Sequence, residues 1–153
     1  MDACLDKRVF HRNLGLIVWL ALLLAGCGPA QVSLDVHQNV NPDIHGRPSP
    51  IVLRIYELRA ADGFNGADFI SLYERDKEIL GADLLAREEM TLIPGEKKEF
   101  KRELQKGTRF VGVMAAFRDL NHSQWRSTLE VKPGKTSTLE IMLDGQKMTV
   151  SAK

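Results

Sequence analysis

Short runs in which apolar and polar residues alternate recur along most of this chain. Val32, Leu34 and Val36 alternate with Ser33, Asp35 and His37, the period of a half-buried strand. Ile51–Leu58 places Ile51, Leu53 and Ile55 on one face and Arg54 and Tyr56 on the other. Leu84–Ile93, Lys98–Leu104, Arg109–Phe117, Trp125–Val131, Ser137–Leu143 and Met148–Val150 read as further strands. Arg109–Phe117 is the most hydrophobic and is expected at the centre of a sheet. Turn chemistry separates these runs at Asp62–Gly66, Pro94-Gly95-Glu96, Lys106-Gly107, Lys132-Pro133-Gly134-Lys135 and the hairpin signal Asp144-Gly145. The period lengthens once. Asp68 is placed to cap a helix in which Phe69, Leu72, Tyr73 and Leu80 share one side, and Gly81 follows its end.

About eight short strands with one helix between the second and third predict an all-β domain, a two-sheet β-sandwich with an inserted helix. Strands and helices do not alternate, so an α/β fold is not expected. One connection stands apart. Asn39–Pro50 carries Pro42, Pro48, Pro50 and Gly46, and it far exceeds the roughly two to five residues of a hairpin loop. Its prolines reduce the entropy lost on docking, Ile44 is apolar in a polar tip, and Arg47 is a candidate charged contact. A crossover between two sheets would need a long connection too, and the pattern alone does not separate the two readings.

The N-terminal segment has a different logic. Lys7, Arg8 and Arg12 precede the apolar run Leu14–Leu24, and small Ala25 and Gly26 precede Cys27. The run is shorter than the ~20 apolar residues a membrane span needs. Leu24-Ala25-Gly26-Cys27 resembles a bacterial lipobox. That resemblance implies a signal peptide over 1–26, acylation of Cys27, a short lipidated tether over 27–31 and a domain over 32–153. Residue 28 is Gly rather than Asp, which by analogy with lipoprotein sorting points to the outer membrane, facing the periplasm. Several acyl chains exceed the two signals that stable anchoring takes.

Removing that segment changes the charge picture. The whole chain has 21 Lys and Arg against 20 Asp and Glu. Lys7, Arg8, Arg12, Asp2 and Asp6 leave with the signal peptide, so the mature domain is neutral. No basic excess remains to track phosphates, and nucleic-acid binding is not expected. The two cysteines are Cys4 and Cys27, so no thiol remains for a disulfide or a Cys-built metal site.

No catalytic constellation emerges. His37, His45 and His122 lack metal-ligand spacing, and no nucleophile elbow or phosphate loop appears. Glu88 and Glu89 are adjacent on a predicted strand and point to opposite faces, which disfavours paired acid–base work. The mixed charges of Glu96–Arg102 fit a solvated edge strand. Arg118-Asp119 and Trp125-Arg126 form a candidate hot spot, but Trp125 lies on an apolar face and core packing is the favoured reading, with Arg118 and Asp119 pairing Arg126 or capping the turn. The helix stripe is likewise read as core.

Gly46-Arg47-Pro48-Ser49-Pro50-Ile51-Val52-Leu53-Arg54-Ile55-Tyr56-Glu57-Leu58 resembles the Arg-Pro-Ser-Pro strand segment of the type VI secretion lipoproteins, the TssJ (SciN) family. Phe64, Ala67-Asp68-Phe69, Leu72, Leu80-Gly81-Ala82-Asp83-Leu84, Val111-Gly112-Val113, Phe117-Arg118-Asp119-Leu120 and Trp125-Arg126 follow in the matching order. The resemblance implies a transthyretin-like sandwich and an outer-membrane lipoprotein without enzymatic activity or cofactor. Its expected partner is the periplasmic part of an inner-membrane TssM (IcmF-like) protein, in a complex that also holds a TssL-like protein. Carried onto this chain, the contact loop is Asn39–Pro50, with Asn41, Pro42, Asp43, Ile44, His45, Gly46 and Arg47 as its partner-binding residues. The alternative is a periplasmic lipoprotein that uses the same loop to bind or inhibit another ligand or enzyme.

Overall fold

In the computed structural model, which describes residues 29–132 and 137–152, the alternating runs form eight strands in two four-stranded sheets. They are β1 (Pro29–Val36), β2 (Ile51–Leu58), β3 (Leu84–Leu92), β4 (Lys97–Glu103), β5 (Phe110–Ala115), β6 (Arg126–Glu130), β7 (Ser137–Asp144) and β8 (Lys147–Ala152). The first sheet has the order β4-β1-β7-β8 and the second β3-β2-β5-β6. β1 runs parallel to β7 and antiparallel to β4. The two inner faces meet in one core built from Val32, Leu34, Ile51, Leu53, Ile55, Val111, Val113, Leu139 and Ile141 among others. β5 is an inner strand of its sheet, as its composition predicts.

β2 is covered on both faces. Ile51, Leu53 and Ile55 face the other sheet, while Tyr56 and Leu58 belong to a second cluster under two helices. Those helices are α1 (Asp62–Gly66) and α2 (Phe69–Leu80). The segment expected to be a turn is thus a short helix, because Phe64 on it is buried against the sheet. Gly112 makes that possible: a Cβ there would lie 3.0 Å from Phe64 Cζ and 3.2 Å from Leu58 Cδ1. Burying Phe64 and Leu72 contributes roughly 1.5–3 kcal/mol each. Asp68 accepts a hydrogen bond from Ser71 N at 2.9 Å as the N-cap of α2, and Gly81 closes the helix at φ 49°.

Charged residues lock these layers. Asp76, on the inner side of α2, accepts from Arg87 Nη1 at 2.6 Å and from the Tyr56 hydroxyl at 3.3 Å. Arg54 donates to Tyr73 O at 2.6 Å, pairs with Glu89, and lies 4.2 Å from the Tyr73 ring centroid. Burial pushes the Tyr56 phenol up to about 12. Between the sheets, Glu57 Oε1 accepts from Arg102 Nη2 at 2.6 Å, and its Oε2 accepts from Gln105 N and Thr108 Oγ1. Arg102 Nη1 also donates to Glu88 at 2.7 Å. β4 is an edge strand, as its charge pattern suggests, but Arg102 turns inward where a solvated side chain is expected. Glu88 and Glu89 do point to opposite faces, one to Arg102 and one to Arg54.

β1 begins at Pro29, so residues 29–31, expected in the tether, are strand: Pro29 pairs with β4, and Ala30 and Gln31 pair with both β4 and β7. Pro29, Glu103 and Ser137 therefore mark one pole of the sandwich. The 39–50 loop leaves β1 at the opposite pole, roughly 25 Å away at about 3.3 Å per strand residue. Residues 133–136, which hold most of the expected turn at 132–135, and the segment containing Cys27 lie outside the described residues.

Glu57→Ala leaves the Arg102 guanidinium buried with one carboxylate partner. It is expected to lower unfolding free energy by about 3 kcal/mol in urea titration. Glu57→Leu combined with Arg102→Met should lose less than the single change, because no charge is then left buried; an equal or larger loss removes the inter-sheet pair as the cause.

Candidate functional site

The long loop links β1 in one sheet to β2 in the other, so it is a crossover, and Asn41 fixes its base. Asn41 is only 3% exposed and adopts φ 50°, a left-handed conformation that Asn tolerates better than most residues. Its N–H donates to Gly145 O, its Nδ2 donates to Pro50 O at 2.9 Å, and its Oδ1 accepts from Arg118 N at 2.8 Å. One buried side chain thereby ties the loop to the 116–125 connection. Gly145 itself, at φ 58°, turns the β7–β8 hairpin beside it.

The tip is held by Asp43. Its Oδ1 accepts from the N–H groups of His45 and Arg47, at 2.8 and 2.9 Å. Its Oδ2 accepts from Arg47 Nε at 2.8 Å, and Gly46 N donates to Asp43 O. The Arg47 N–H chiefly, with smaller help from the His45 N–H, the Arg47 guanidinium and the charge of Arg118, holds the Asp43 carboxyl below its ordinary value of 3.8 despite desolvation. Ile44 stands on this tied turn, 95% exposed.

Loop tip and neighbouring connection together line an open cleft of about 630 Å³, formed by Pro42, Asp43, Ile44, His45, Arg47, Arg118, Asp119 and Gln146. Asp119 accepts from His122 N, meets His122 Nδ1 at 2.8 Å and lies 3.4 Å from Gln146 Nε2. The His122 ring lowers the Asp119 carboxyl. Arg118 is exposed, and among the described residues its side chain forms neither an ion pair nor a hydrogen bond, though its charge acts on Asp43.

Several sequence-derived candidates fall elsewhere. Asn41 is not presented to solvent: it builds the loop. Arg47 is exposed but already paired to Asp43. Arg118 and Asp119 do not pair with Arg126; Asp119 takes the other expected role and caps its turn by accepting from His122 N. Arg126 instead donates to the Phe64 and Ala67 carbonyls beneath the helices and packs 4.7 Å from the Trp125 ring centroid. Trp125 is half-buried, packs on both core clusters and meets Phe69 edge-on at 5.3 Å. The link from Arg118 to the 39–50 loop was missed, because nothing in the spacing signals a contact made by Asn41 across 77 positions. Among the described residues, no cluster of three or more His, Cys, Asp or Glu is placed to hold a metal, and no helix is long and apolar enough to cross a membrane.

Residues 29–146 match the family model described as "Type VI secretion lipoprotein, VasD, EvfM, TssJ". This chain belongs to the type VI secretion lipoprotein family. A search of the curated proteins finds no match. Among solved structures, the TssJ1 lipoprotein of Pseudomonas aeruginosa is 35% identical with a TM-score of 0.81, covering 83% of this chain and 97% of its own. Serratia marcescens Lip, described as a membrane bound component of the type VI secretion system, is 25% identical with a TM-score of 0.74, over 80% and 96%. A chain in a structure described as "T6SS protein TssM C-terminal domain (869-1107) from EAEC" is 28% identical with a TM-score of 0.65, over 80% and 99%. The two-sheet sandwich is therefore the fold of a known secretion lipoprotein, and the lipobox resemblance agrees with that membership.

Two outcomes test this site. Asn41→Gly preserves the left-handed backbone but removes both side-chain bonds, so it should cost about 1–3 kcal/mol and broaden loop amide signals; an unchanged melting curve would show the clamp idle. Because the Asp43 carboxyl is lowered, its ties persist at and above the ordinary value and are lost as pH falls through the lowered one. The amide signals of His45 and Arg47 should titrate with a midpoint below 3.8, and a midpoint at or above it would contradict the tie.

Proposed function

We propose that this lipoprotein is a non-enzymatic anchor. Acylated Cys27 holds it in the outer membrane with the domain facing the periplasm, and the 39–50 loop binds the periplasmic part of a TssM-like inner-membrane protein, in a complex that includes a TssL-like protein. The observation that carries this reading is the placement of a rigid, self-tied loop at the pole opposite Pro29, where the chain leaves toward Cys27. Two attachment points at opposite ends of a stiff sandwich suit a part that keeps two membranes in register. Pro42, Asp43, Ile44, His45, Gly46 and Arg47 form the presented tip, and Asn41 positions it.

The likeness to the chain in the TssM-domain structure supports the partner. An alignment spanning 80% of this chain fills 99% of that one, so the matched chain is about half as long as the range 869–1107.

Cys27→Ser is expected to move the protein from the outer-membrane fraction to the soluble periplasmic fraction without changing its melting temperature. Retention in the membrane would defeat the anchor reading. Replacing Ile44–Arg47 with Gly and Ser should weaken binding of the detergent-solubilised lipoprotein to the TssM-like periplasmic domain by about tenfold or more in calorimetric titration. An unaltered affinity would place the interface elsewhere.

A further inference from the structure

Taking the docking role of the 39–50 loop as given, we infer that Arg118 is the charged half of that docking site, and that the partner segment it takes carries a carboxylate beside an apolar side chain. Most charges around the cleft are already paired. Asp43 and Arg47 are bound to each other, with both Arg47 Nε and Nη2 2.8 Å from Asp43 Oδ2. Asp119 is occupied by His122 and Gln146. Among the described residues Arg118 forms no ion pair; its charge acts on Asp43 only at longer range, and it is exposed in the cleft that Ile44 also lines. Once the internal pairs are set aside, the chemistry left for a partner is chiefly one guanidinium and one apolar side chain.

The spacing of these two groups is set before anything binds. Asn41 accepts from Arg118 N and donates to Pro50 O, so the loop and the connection that carries Arg118 share one buried fastener. Asp43 fixes the turn that carries Ile44. A partner therefore loses little free energy to ordering this surface. Guanidinium matches a carboxylate with two parallel hydrogen bonds, which gives direction as well as attraction. Arginine is also enriched among the residues that dominate interface energetics. A polyanion is the poorer fit, because the carboxylates of Asp43 and Asp119 line the same cleft as Arg118.

The test is titration of the full-length, detergent-solubilised lipoprotein against the periplasmic domain of the TssM-like protein from the same cell. Arg118→Glu should weaken binding about tenfold or more, and Arg118→Gln by a smaller factor. Raising ionic strength from about 0.05 to 0.5 M should weaken the wild type but scarcely affect Arg118→Gln. One Asp or Glu to Lys change in the partner domain should restore affinity to Arg118→Glu. If both Arg118 variants bind within about twofold of wild type while Ile44→Asp loses affinity, Arg118 is not the charged contact and the loop reading stands. If wild type itself does not bind, the loop reading falls and this inference with it. Arg118→Gln keeps the charge test available should the reversal fail to fold.

Discussion

Burial of β2 on both faces is the constraint from which the rest of this molecule follows. One face supplies Ile51, Leu53 and Ile55 to the space between the sheets. The other carries Tyr56 and Leu58, which an open sandwich would leave in water. The helices between β2 and β3 cover that second face, with Phe64, Leu72 and Leu80 seated on it. The inserted helical segment is thus part of the core, and the alternation expected of a one-sided strand is replaced by nearly continuous burial.

Double burial also dictates the ion pairs. Arg54 and Glu57 both lie on β2 and both are buried, a position that charged residues occupy only with partners. Arg54 reaches Glu89 and the Tyr73 carbonyl, and Asp76 approaches it at 3.8 Å, so α2 is fixed in place as well as covered. Glu57 reaches Arg102, the Gln105 amide and Thr108, so the edge strand β4 is joined to the opposite sheet. Such pairs add little net stability over apolar replacements, but breaking one partner is costly. Here they tie α2 and β4 to β2 and so hold the layers in one alignment.

That alignment sets the poles. β1 and β2 lie in different sheets, so the chain must cross between them, and the crossing falls at the end remote from Pro29. The two readings of the loop are therefore compatible: it is a crossover by topology, and its tip remains available for docking. Asn41 and Asp43 make it rigid without recruiting Ile44, which stays outside.

Strand positions, the two-sheet class, the Asp68 cap and the Gly81 stop were legible in the sequence because each depends on neighbours within a few residues. Period-two alternation and cap chemistry are local signals. Family membership was legible for a related reason, since the Arg-Pro-Ser-Pro strand and the blocks after it keep their order. What only the tertiary structure decided involves residues far apart in the chain. Asp62–Gly66 looks like a turn until Gly112 gives Phe64 a place to pack. Arg102 looks solvated until Glu57 faces it from the other sheet. Arg118 belongs to the loop pole only because Asn41 receives its amide, and Arg47 loses its role as a free cation only because Asp43 folds back on it. Composition records that these charges exist, but which of them are already paired is fixed by three-dimensional proximity, and that decides which one is left to meet a partner.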